Sequence, residues 1–118
     1  MSSRPYQSLI VWKEAHSLCL RVYSVTKKFP QEEKYGLMNQ MRRSAYSIPT
    51  NIAEGNGRKT NKDKSHFLDI AMGSIEELHY QCILSYDLEY VSAEDRDDLH
   101  DRIQRTGYLI HKLQQSFL

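Results

Sequence analysis

Two pairs of side chains have a spacing that suits metal chemistry. Glu76 and His79 stand three residues apart with the acid first, and so do Asp97 and His100. Helix bundles that hold two iron or manganese ions use Glu-x-x-His segments from two helices, with further carboxylates pointing inward. The facing is wrong here. Glu76 lies two residues from both Ser74 and Leu78, which are read as core positions. At about 100° per residue it therefore points away from the core. Asp97 stands in the same relation to Leu99, and no further inward carboxylates accompany the pairs. No metal and no cofactor is expected, and His79 is read as a boundary or interface residue. Nucleophilic chemistry has less to build on. Cys19 and Cys82 are far apart, each inside an apolar helical pattern. That favours reduced core thiols over a disulfide or a metal pair. No G-x-S-x-G, P-loop or G-x-G-x-x-G segment is present, so nothing supplies a strained nucleophile or a phosphate cradle. No enzymatic activity is expected.

The remaining chemistry is cationic. Arg58, Lys59, Lys62 and Lys64 cluster where a second helical segment gives way to a third, and Thr60 opens that third segment. A helix start beside cations is a reasonable place for a phosphate. Arg42 and Arg43 lie further back and would extend the patch. No aromatic residues interleave with these cations to stack bases. RNA or DNA contact through these six residues is the competing functional reading, set against an ordinary solvated turn.

Four amphipathic segments must position all of this. The first runs from about Leu9 to Lys28, with Trp12, Ala15, Cys19, Val22 and Thr26 at steps of three and four and Ser8 as its cap. Pro30 suits the start of the second, with Glu32 and Glu33 at the positive end of its dipole. That segment continues through Leu37, Met41, Ala45, Ile48 and Ile52. Thr60 with Asp63, and Ser92 with Asp95, have the spacing of capping pairs. They open a third segment through Phe67, Ala71, Ser74, Leu78, Cys82 and Ser85, and a fourth through Leu99, Ile103, Thr106, Ile110, Leu113 and Phe117. No strand pattern competes, and the connections are short. The expectation is an all-α, up-down-up-down antiparallel four-helix bundle, a single domain over 1–118.

Pro49 falls inside the second segment. Ile48 and Ile52 carry the apolar step across it, so the helix is expected to kink there and continue. Ser47, Thr50 and Asn51 can bond the freed carbonyls or reach a neighbour. Glu54 and Arg58 are spaced to pair, and Gly55 and Gly57 offer a left-handed stop. Gly73, beside Ala71 and Ser74, is expected to permit close helix approach.

The third segment carries a second stripe: Met72, Ile75, His79, Ile83, Tyr86 and Tyr90. A bundle offers each helix one inward face, so this stripe predicts a subunit interface. Charge is uneven too. Residues 1–65 hold 12 Lys/Arg against 5 Asp/Glu, and residues 66–118 hold 4 against 10. The two halves can attract within one chain or orient neighbouring subunits. No apolar run approaches the roughly 20 residues that span a bilayer. The first residues do not read as a signal peptide, so a cytoplasmic location with no membrane partner is expected.

The segments "VWKEA", "FPQEEKYGL", "QMRRSAYSIPTNIAEG" and "IAMGSIEEL" resemble the four-helix-bundle family named for proteins encoded in 23S rRNA intervening sequences, over nearly the whole chain. The resemblance implies a ring-like homopentamer with no established enzymatic activity. A related group, the accessory proteins of diversity-generating retroelements, is similar in architecture and binds nucleic acid through a strongly basic surface. This chain departs from that group in its pI of about 7.8 and its acidic carboxy half.

Overall fold

The computed structural model describes residues 3–118; Met1 and Ser2 lie outside the described residues. Four helices account for most of the chain: α1 (Ile10–Thr26), α2 (Leu37–Asn56), α3 (Asn61–Asp87) and α4 (Ala93–Gln115). Each packs on its chain neighbours, α1 also packs on α4, and among the described residues the backbones of diagonal helices stay apart. The helices thus stand at the corners of a square, in an antiparallel four-helix bundle measuring 43 × 31 × 21 Å. Fully buried Leu18, Met41, Ile48, Leu78, Leu99, Ile103 and Ile110 fill the middle.

The caps follow the sequence on one half of the bundle and depart from it on the other. Thr60 Oγ1 accepts from the Asp63 amide and Ser92 Oγ from the Asp95 amide, both at 3.1 Å. Ser8 does not cap α1. Its hydroxyl donates to the Pro5 carbonyl at 2.8 Å inside a preceding 3-10 turn, and Leu9 takes the cap position. α2 starts later than Pro30 suggests. Gln31–Glu33 form a separate 3-10 turn, and Glu33 Oε1 reaches forward to accept from the Leu37 amide at 3.0 Å. The acid still serves the positive end of the helix, one turn further on.

α2 passes through Pro49 without stopping, and Pro49 is buried. The polar residues around it bond as their types suggest. Thr50 Oγ1 donates to the Tyr46 carbonyl at 2.7 Å, Asn51 Nδ2 to the Ser47 carbonyl at 2.8 Å, and Ser47 Oγ meets Ser74 Oγ of α3 at 2.8 Å. The helix end differs from the expectation. No glycine has a positive φ, and Gly57 closes α2 at φ −83. Gly55 works by its size. A Cβ built there would sit 3.0 Å from Phe67 Cβ and 3.3 Å from the Lys64 carbonyl. Gly73, expected to do this, has nothing within 4 Å of such a Cβ and lies on the exposed side of α3.

Opposite charge joins α1 to α4. Arg21 bonds Asp95 at 2.6 Å and Asp98 at 2.8 Å, Arg102 reaches Asp98 and the Ser17 hydroxyl, and Arg105 pairs with Glu14 at 2.9 Å. Part of the charge asymmetry is therefore used within one chain. The hydrogen bond from Arg21 holds the Asp98 carboxyl below its ordinary range, against a smaller opposing effect of burial.

Two outcomes follow. Gly55→Ala forces Phe67 or the start of α3 to move, and urea unfolding should show a loss of about 1–3 kcal/mol; an unchanged midpoint would contradict the close approach. Asp98→Asn should cost about 1 kcal/mol at pH 7, because Asp98 is 37% and Arg21 32% exposed, so solvent screens the pair. The folded-state value is the lower one, so this contribution is complete above the ordinary aspartate value of about 3.9. It fades as pH falls through the folded value. The difference between variant and parent should shrink in that acid range. A difference that persists unchanged there contradicts the pairing.

Candidate interaction surfaces

The six cations do not form one patch. Arg42 donates to Thr26 Oγ1 at 2.9 Å and to the Tyr23 carbonyl at 3.3 Å, with its guanidinium 4.6 Å from the centre of the Tyr23 ring. It ties α2 to the end of α1. The 16 residues between Arg42 and Arg58 place the two about 24 Å apart along a helix, so Arg42 and Arg43 do not extend the turn. At the turn, Arg58 lies over the Phe67 ring at 4.7 Å. Among the ion pairs of the described residues none joins it to Glu54. Lys64 Nζ makes a long contact of 3.5 Å with the Asn56 carbonyl, at the negative end of α2. Lys59 and Lys62 are exposed.

The second stripe of α3 serves the monomer first. Ile75 is 4% exposed and belongs to the core, 3.6 Å from where a Cβ on Gly107 of α4 would sit. It is not available to a partner. Met72 is half-buried against the same core. His79 packs beside His100 of α4, with ring centroids 5.5 Å apart, and Arg96 lies 4.1 Å over the Tyr86 ring. Tyr90 falls beyond the end of α3. It packs on Phe29 and donates to Glu33 Oε2 at 2.9 Å, a bond that raises its phenol pKa. The reason is angular. These positions sit close enough to the core direction for an antiparallel α4 to cover most of them, and only Ile83 and Tyr86 keep substantial exposure.

What the pattern missed lies further round α3. Ile70, Tyr80 and Leu88 are 41%, 61% and 44% exposed, on the flank away from α4. Gly73 lies on the same open side of the helix, and the exposed Ile83 stands at its edge, lining the α3–α4 cleft. The signal for Ile70 and Leu88 was their offset from both assigned stripes.

A second apolar surface lies across the bundle. Between α1 and α2 runs a groove of about 590 Å³, lined by Trp12, His16, Leu20, Tyr23, Tyr46, Pro49 and Ala53 among others. Trp12, read as a core residue, is only half-buried. It stacks on His16 with ring centroids 5.0 Å apart, and Tyr6 meets it edge-on at 5.2 Å. Leu20 and Tyr46 form the exposed walls, at 58% and 48%.

The α3–α4 seam holds a smaller cleft, about 280 Å³, with His79, Cys82, Asp97 and His100 in its lining. The fold brings the two histidines and Asp97 to one cleft, where Asp97 pairs with Arg96 at 3.0 Å, and leaves Glu76 exposed outside it. Among the described residues no three His, Cys, Asp or Glu side chains are placed to hold a metal ion. Burial pushes the Cys82 thiol up to about 12 and raises that of Cys19. Among the described residues no helix is long and apolar enough to cross a membrane.

These features define a four-helix-bundle protein whose unusual surfaces are apolar and aromatic. The family model for 23S rRNA-intervening sequence proteins matches residues 7–112, and the chain belongs to that family. The fold is similar to a crystal structure of a protein of unknown function from the S23 ribosomal protein family of Bacteroides thetaiotaomicron VPI-5482. That match has a TM-score of 0.83 and 21% identity, covering 89% of this chain and 98% of that one. No curated protein matches the chain.

Both thiols should resist a thiol-specific dye at pH 8 in the folded protein and react only on unfolding, since the thiolate is the reactive form. Fast labelling of Cys82 in the native state would contradict its burial.

Proposed function

We propose that the protein is a non-catalytic interaction protein that assembles with copies of itself into a ring. Five subunits is the number implied by its family resemblance. The observation that carries this reading is the outer face of α3. Ile70, Tyr80 and Leu88 are exposed along it, and Ile83 is exposed at its edge, beside the α3–α4 cleft; Gly73, on the same helix, stands in open space. Fully burying one such aliphatic side chain is worth about 1.5–3 kcal/mol relative to leaving it in water. An exposed mid-helix glycine costs the isolated chain about 1 kcal/mol against alanine. Both features are disadvantages for a monomer. Both become useful when a neighbouring subunit covers the face, since the glycine then lets another chain approach.

The proposed interface differs from the expected stripe. Ile75, Met72, His79 and Tyr90, engaged within the chain, leave it; Ile83 and Tyr86 stay at its edge, and Ile70, Tyr80 and Leu88 join.

Light scattering coupled to gel filtration tests the reading. The wild type should run at a multiple of 13.9 kDa at micromolar concentration. The double variant Tyr80→Asp/Ile83→Asp should run as a monomer with its helical circular dichroism unchanged, because both side chains are exposed in the single chain. A monomeric wild type overturns the proposal.

A further inference from the structure

We infer that the α3 face of one copy seats in the α1–α2 groove of the next, so that every contact in the assembly joins two different surfaces. This rests on the oligomer reading above and deepens it by naming the occupant of each surface.

Position comes first. In a square of helices where α1 touches α2 and α4 but not α3, the α1–α2 side and the outer side of α3 look in different directions. One subunit can therefore offer both at once. Contacts between unlike surfaces run head to tail, and they close into a ring when the rotation between neighbours divides a full turn.

Shape and chemistry agree. The α1–α2 side is concave, with Pro49 and Ala53 in its lining between the walls made by Leu20 and Tyr46. The α3 face is a convex helix with Tyr80 and Ile83 projecting. A helix laid in an aromatic groove is a recurrent mode of recognition.

Charge selects the pairing. From His66 to Tyr90 the chain has Asp69, Glu76, Glu77, Asp87 and Glu89 and no lysine or arginine. Glu76 and Asp87 are exposed. The groove is edged by Lys13 and Lys27, three residues before His16 and four after Tyr23, and by Arg43, three before Tyr46. At these spacings they share helix faces with the groove residues. All three are exposed, and the ion pairs of the described residues use none of them. The groove lining itself holds one carboxylate, Glu54, and the three cations around it leave the rim net positive. An α3 face against its own copy would set carboxylates against carboxylates, and two grooves together would set one net-positive rim against another. The face-to-groove contact places opposite signs together.

The experiment uses two variants of the whole chain, each dead on one surface: Tyr80→Asp/Ile83→Asp on α3 and Leu20→Asp/Tyr46→Asp in the groove. Each alone should be a folded monomer by light scattering and circular dichroism. Mixed one to one, they retain a single good face and a single good groove between them, so they should form a heterodimer and nothing larger. In a second set, Lys13→Glu/Lys27→Glu should weaken assembly at least tenfold, and adding Glu76→Lys/Asp87→Lys to the same chain should restore it. A groove variant that keeps the wild-type mass, or a mixture that stays monomeric, overturns this inference while the assembly itself stands. A monomeric wild type overturns both.

Discussion

Because α2 turns its small residues toward α3, the two helices meet with little between them. Gly55 faces the first turns of α3, with Phe67 and the Lys64 carbonyl in van der Waals range of where a side chain would begin. Further along, the hydroxyls of Ser47 and Ser74 touch, the Ser44 hydroxyl donates to Glu77, and the Ser85 hydroxyl reaches Met41 sulfur at 3.1 Å. This seam exists only because α2 continues through Pro49. Had the helix stopped there, Asn51, Ile52 and Gly55 would have had no helical register against α3. The bonds made by Thr50 and Asn51 to carbonyls one turn back help hold the backbone where proline removes a donor.

The seam then divides the surface of α3. One flank, through Ser74, Gln81 and Ser85, goes to α2. The next, through Leu68, Ala71, Ile75 and Leu78, goes to the core. The third, through Met72, His79 and Tyr86, goes to α4. What remains faces outward and carries Ile70, Gly73, Glu76 and Tyr80, with Ile83 at its border with the α4 flank. A 27-residue helix buried on three flanks has no need of apolar residues on the fourth for its own stability, and an ordinary solvated face would be charged throughout. The mixture of carboxylates and large apolar groups on this fourth flank marks it as a surface for contact.

How far the sequence revealed this depends on which physics was at stake. Helix number, the Thr60 and Ser92 caps, passage through Pro49 and the main core residues follow from local periodicity and capping chemistry, and these were legible. Three errors share a cause: they turn on where a neighbouring helix lies. Ile75 reads as a second stripe until α4 is seen to cover it. Gly55 reads as a helix stop and Gly73 as a close approach, and the packing reverses the two roles. Arg42 reads as a surface cation until the end of α1 supplies its oxygen partners and ring. Periodicity gives the direction of a side chain within about one helix position; which helix occupies that direction is a tertiary fact. The α1–α2 groove was hidden for the same reason, since its walls come from residues far apart in the chain.

The charge asymmetry illustrates how one pattern can serve two ranges. Arg21 bonds Asp95 and Asp98 across the α1–α4 seam, which draws the basic and acidic halves together inside the subunit. That use does not exhaust it. The cations on the far side of α1 and the carboxylates on the outward side of α3 point away from each other, so no folding of a single chain can join them. Repulsion disfavours pairing either surface with its own copy. In the proposed assembly both are neutralised, without changing the fold, by a succession of subunits in which the acidic face of each meets the basic rim of another. Closing that succession leaves neither surface open at an end, so a ring satisfies the charge pattern more completely than any open chain.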